Sequence, residues 1–90
     1  MLFMVIEKFK NRDAKAVYQR FLTDGRMTSE KLSYKSSWVE ANFNRCFQII
    51  ECSDVSSLQD WVLHWQDLVE FEFVPVVESA ETVEIIKPFL

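Results

Sequence analysis

From Met1 to Phe9, apolar side chains run almost unbroken until Glu7-Lys8-Phe9. The stretch is too short and too rich in β-favouring residues for a helix, so it reads as a first strand. Ala14, Val17, Tyr18, Phe21 and Leu22 then recur at three- and four-residue spacing, the mark of one face of an amphipathic helix. Asn11 or Asp13 is available to cap it, and Asp24-Gly25 to end it. Arg26 to Lys31 is polar and loop-like. Leu32–Glu40 and Asn44–Cys52 read as two strands joined by Ala41-Asn42-Phe43-Asn44, whose asparagines suit left-handed turn geometry. Pairing Ala41 with Asn44 sets Trp38 against Phe47, Ser36 against Ile49 and Tyr34 against Glu51 on one side. Val39 with Cys46, Ser37 with Gln48 and Lys35 with Ile50 share the other.

Asp54 or Ser56 can start a second helix, and Ser57-Leu58-Gln59-Asp60 fits a capping box. Leu58, Trp61, Val62, Trp65, Leu68 and Val69 form its apolar stripe, with Asp60 and Asp67 pointing away and Leu63 off the stripe. Val69–Val77 alternates acids with aromatic and β-branched residues, the pattern of a fourth strand, and Pro75 marks an edge or bulge. Glu81–Ile86 fits a short helix or a strand equally. The order strand, helix, strand, strand, helix, strand predicts an α+β, ferredoxin-like βαββαβ domain over residues 1–78, followed by an extension over 79–90 that is a short helix or a dimer-contacting tail. Its four-stranded antiparallel sheet carries helices on one face, so an apolar second face has to be covered by something else.

Composition sharpens that need. At 90 residues with 49% hydrophobic content, including eight Phe, three Trp and two Tyr, the chain carries more apolar surface than a small monomer hides, and a homodimer is expected. Ten basic against fourteen acidic residues, without a basic stripe, argue against nucleic acid. Met1–Ile6, the longest apolar run, is far below the roughly 20 residues of a membrane span and has no signal-peptide layout, so a cytoplasmic protein without a membrane partner is expected. A single histidine and two cysteines, Cys46 and Cys52, without metal-ligand spacing make a metal site an expected absence. One glycine excludes a Gly-rich phosphate loop, so no cofactor is expected.

Four acids lie within or at the ends of the strands: Glu7, Glu40, Glu51 and Glu72. A carboxylate of raised pKa in an apolar cleft can act as a general base, whereas the plainer role is a solvated or paired acid, with Arg45, Arg26 or a lysine as partner. Glu72, between Phe71 and Phe73, stands out. Tyr34, Trp38 and Phe47 can stack on a flat ligand or, equally, form dimer core. Trp61 and Trp65, on the helix stripe, read as core packing. Cys46 reads as an inert buried thiol, and His64 lacks the surroundings of a metal or haem ligand.

Met1-Leu2-Phe3-Met4-Val5-Ile6-Glu7, Ser37-Trp38-Val39-Glu40, Cys46-Phe47-Gln48 and the run Trp61 to Val76 resemble a bacterial family of small domains of unknown function, over roughly residues 1–78. The resemblance implies membership of the dimeric α+β barrel group, in which two sheets pack face to face around a shared cleft. It assigns no catalytic residue. The expectation is a dimeric barrel that binds a small, partly apolar or aromatic ligand in the inter-sheet cleft, walled by Tyr34, Trp38, Phe47 and Phe3 or Val5. Glu7, Glu40, Glu51 or Glu72 would orient the ligand's polar groups. Whether the protein is an enzyme stays open: a cofactor-independent monooxygenase or isomerase using a cleft carboxylate is the first alternative, and a protein-interaction module the second.

Overall fold

The computed structural model describes all 90 residues. Strand β1 spans Leu2–Phe9, helix α1 Ala14–Asp24, β2 Leu32–Val39, β3 Arg45–Cys52, helix α2 Ser56–Trp65, β4 Val69–Val76 and helix α3 Ser79–Ile86. The four strands form one antiparallel sheet in the order β2-β3-β1-β4, the expected ferredoxin-like arrangement. No helix is long and apolar enough to cross a membrane.

Both central strands alternate strictly. Phe3, Val5, Glu7 and Phe9 of β1, and Cys46, Gln48, Ile50 and Cys52 of β3, are buried on one face, while the residues between them are more exposed. Helices α1 and α2 cover the buried face. Trp61, Phe9, Ile50, Val5 and Cys52 are the largest fully enclosed side chains, and Trp61 meets Phe71 edge to face at 5.2 Å. Asp13 caps α1 by accepting a hydrogen bond from the Ala16 amide at 3.1 Å. At the start of α2 the side chain of Asp54 accepts from the amide and hydroxyl of Ser56. Ser57 does not form the expected capping box with Asp60, because its hydroxyl donates to the Asp54 carbonyl instead.

The β2–β3 register agrees with expectation at Trp38–Phe47, Ser36–Ile49, Ser37–Gln48 and Val39–Cys46, and departs from it upstream. A β-bulge between Tyr34 and Ser36 sets Tyr34 against Ile50 and Ser33 against Glu51, in place of Tyr34 against Glu51 and Lys35 against Ile50. The extra residue reverses the alternation, which turns Leu32 into the core, where it is 7% exposed, and carries Tyr34 to the helix-covered face. In the β2–β3 turn the left-handed position is held by Phe43 (φ 61°) and not by either asparagine. The Asn42 side chain supports the turn by accepting from the Asn44 amide.

The other sheet face has no cover. Leu2, Met4, Ile6, Phe47, Ile49, Trp38 and Val74 share it by register, and Trp38 is 58% exposed. Beyond β4, residues Glu81–Ile86 are helical and belong to α3, whose substantial packing is confined to the final turn, Lys87–Phe89. Val83, Ile85, Ile86, Phe89 and Leu90 of this tail are exposed, and the molecule measures 49 × 29 × 17 Å.

Candidate functional site

Between the helices and the sheet lies a chamber of about 270 Å³, lined by twelve residues, eight of them hydrophobic. Its floor comes from the buried face of the sheet: Glu7 and Phe9 of β1, Cys46 and Gln48 of β3, Ser37 of β2 and Val69 of β4. Val17, Tyr18 and Phe21 of α1 and Trp61 and Trp65 of α2 form the roof, and Arg26, just past the end of α1, completes the lining.

Arg26 is placed by its own backbone. Gly25 ends α1 with φ 72°, a conformation that suits glycine, and turns the chain back toward α2. There the Arg26 carbonyl accepts both indole N–H groups, from Trp61 at 3.0 Å and Trp65 at 2.8 Å. Its guanidinium lies 3.7 Å from the centre of the Tyr34 ring and 5.1 Å from that of Phe21, a cation–π arrangement that fixes its plane. Nε donates to the Gln48 side-chain oxygen at 3.3 Å, and Nη2 to the Ser37 hydroxyl at 3.5 Å. The Tyr34 hydroxyl lies 2.8 Å from that of Ser37.

Glu7 is the acid of the chamber. It is 7% exposed and opposes Cys46 across the β1–β3 ladder. Burial raises its carboxyl above the ordinary range; the Gln48 side chain, the Cys46 thiol and the charge of Arg26 pull it down only in part. The Cys46 thiol is pushed up to about 12, first by burial and then by the adjacent Glu7. It is therefore a poor nucleophile near neutral pH, as the sequence reading has it. Burial also raises the Tyr18 hydroxyl. The chamber thus joins a fixed cation and a carboxyl that burial raises above its ordinary range to an aromatic roof.

The seven residues singled out from the sequence do not converge. Glu7 lines the chamber, and Tyr34 stacks on its Arg26. Phe3 and Val5 lie on the same helix-covered face, both buried in the core, so neither walls an open-face cleft. Trp38, Phe47, Glu51 and Glu72 lie on the opposite, open face. Glu51 receives the Met1 ammonium at 2.9 Å, and exposed Glu72 sits opposite Ile6. Glu40, beside the β2–β3 turn, pairs with Arg45 through two hydrogen bonds of 2.8 and 3.1 Å. Arg45 holds its carboxyl below the ordinary range. His64 is on the outer side of α2, 4.0 Å from Asp60.

Arg26, Gln48, Ser37, Tyr18, Trp61 and Trp65 join the site without having been singled out for it. Gln48 had a usable signal: it and Glu7 are the polar interruptions in the inward series Cys46-Gln48-Ile50-Cys52 and Phe3-Val5-Glu7-Phe9. Arg26 had none, since it lies in a coil without periodicity.

A family model described as a domain of unknown function, DUF3303, matches residues 1–90, the tail included. No curated protein and no solved structure matches the chain.

Proposed function

Because the chain belongs to this family of domains without an assigned activity, its reading rests on its own geometry, and we propose that it is a small-molecule-binding domain that works as a homodimer. Its site is the chamber beneath Arg26 and not an inter-sheet cleft. The observation that carries this reading is the pair Glu7 and Gln48, two polar side chains at core positions of the sheet, both lining the chamber. Both are satisfied within the protein, Gln48 by the Arg26 guanidinium and Glu7 by Gln48 and Cys46, and a few convergent polar groups in a mostly apolar cavity are the usual makeup of a ligand site. A second copy of the chain would cover the open sheet face and the apolar tail, both too apolar to favour water.

One observation favours a second reading. Burial raises the Glu7 carboxyl, which suits a general acid or base in a cofactor-independent oxygenase or isomerase. A Glu7→Gln variant that binds a compound but no longer turns it over would support this; wild-type protein that binds without turnover would support a binder alone.

Native mass spectrometry of protein purified from its own host tests the proposal. The expected result is a dimer that retains a small molecule. A monomer would contradict the covered face and favour protein docking on it, and a chain that retains no compound from its host or from a fragment library would contradict the binding site.

A further inference from the structure

Resting on the reading of the chamber as a binding site, we infer that it takes a small organic monocarboxylate. The carboxylate would be held by the Arg26 guanidinium and the apolar body lodged among Phe21, Trp61, Trp65 and Val69. Of the other three arginines, exposed Arg12 lies outside the chamber and two hold a carboxylate. Arg20 grips Asp67 through two bonds of 2.7 Å, and Arg45 grips Glu40 in the same forked manner. Arg26 lines the chamber with no carboxylate within ion-pair distance. Its two side-chain hydrogen bonds are long and go to neutral partners, Gln48 and Ser37. A guanidinium carries five N–H donors in a rigid fork, so this one retains capacity for a planar, two-oxygen acceptor. The rings of Tyr34 and Phe21 already fix its orientation, which lowers the ordering cost of binding.

The rest of the chamber narrows the class. Arg26 is the only cationic residue in the lining and shares it with Glu7. A doubly charged ligand such as a phosphate monoester would bring in a negative charge that nothing offsets, and burying such a charge is expensive. A single carboxylate brings half that charge to the single cation, which makes it the less costly anion beside Glu7. With eight of twelve lining residues hydrophobic and a volume of about 270 Å³, the space behind Arg26 suits one ring or a short branched chain. An amine would meet Arg26 as a like charge.

Isothermal titration of the full chain with benzoate, benzyl alcohol and benzylamine separates the classes. Benzoate is expected to bind at least about tenfold more tightly than benzyl alcohol, the value of one charge-assisted contact, with benzylamine weakest. Arg26→Met should lose that factor for benzoate and leave benzyl alcohol nearly unchanged, and Arg26→Lys, which keeps the charge but not the fork, should fall between. The indole groups bond to the Arg26 carbonyl and not to its side chain, so unchanged Trp61 and Trp65 indole resonances certify that the variants are folded. Benzyl alcohol or benzylamine binding as tightly as benzoate, or Arg26→Met binding benzoate like wild type, would overturn the carboxylate inference and leave the binding reading standing. If none of the three binds, the carboxylate inference falls, while the binding reading stands or falls on the native mass spectrometry and the fragment library.

Discussion

Trp61→Ala is expected to destabilise the fold by about 3–5 kcal/mol, a large part of the ~5–15 kcal/mol that holds a typical domain together. Trp61 is 1% exposed and packs on Phe71 and Phe73, which stack on each other at 5.6 Å. Its removal opens a void beside the existing chamber, where the surroundings have little material with which to collapse. It also takes away one of the two indole donors on the Arg26 carbonyl. Urea denaturation followed by circular dichroism measures the loss. Trp61→Phe, which keeps most of the volume and drops the hydrogen bond, should cost far less, about 1 kcal/mol for the bond plus a modest packing term. Equal costs for the two variants would mean that packing is not what Trp61 supplies.

Glu7→Gln is expected to stabilise the protein at neutral pH and so to raise Tm, each kcal/mol gained adding roughly 4–8 °C for a domain of this size. In the unfolded chain Glu7 ionises at its ordinary 4.5, whereas burial raises its value in the folded protein. The folded state therefore holds the proton more tightly. Glu7 favours folding fully below pH 4.5, and that contribution is lost as pH rises through the raised folded value. Glutamine removes the cost of ionising in an apolar place, so the two proteins should differ at neutral pH and converge in acid. The difference between the curves isolates Glu7, because Glu40, Asp54 and Asp67 are held below their ordinary values by their partners and lose stability in acid in both proteins. A glutamine variant less stable than wild type at pH 7 would mean that the ionised carboxylate is well solvated or paired.

The element order, the lower half of the β2–β3 hairpin and the core role of Trp61 and Trp65 were legible in the sequence, because helical spacing and cross-strand counting carry them directly. The bulge near Lys35 was not. A bulge inserts one residue with no glycine or proline to mark it, and the only clue was that the unbulged register would turn Leu32 away from the core. Glu7 was noticed but assigned to an open-face cleft. In β1 both alternating sets, Phe3-Val5-Phe9 and Leu2-Met4-Ile6, are apolar, so alternation alone could not say which set the helices cover. The unmarked bulge also let Tyr34, Trp38 and Phe47 be grouped as one wall, whereas it places Tyr34 on the face opposite the other two. Glu72, the acid that looked most unusual in its strand, lies on the open face beside Ile6 and away from Arg26, Gln48 and Glu7.

Ligand entry into the chamber between helices and sheet can be watched directly. The three indole N–H groups report on it separately, because Trp61 and Trp65 roof the chamber while Trp38 lies on the open face. Nitrogen–proton correlation spectra, with the Trp38 signal identified through Trp38→Phe, should be recorded while benzoate and then benzyl alcohol are added. The Trp61 and Trp65 signals are expected to move together to saturation while Trp38 holds still. Movement of Trp38 alone, with the other two unchanged, would contradict entry into the chamber and return the site to the open sheet face.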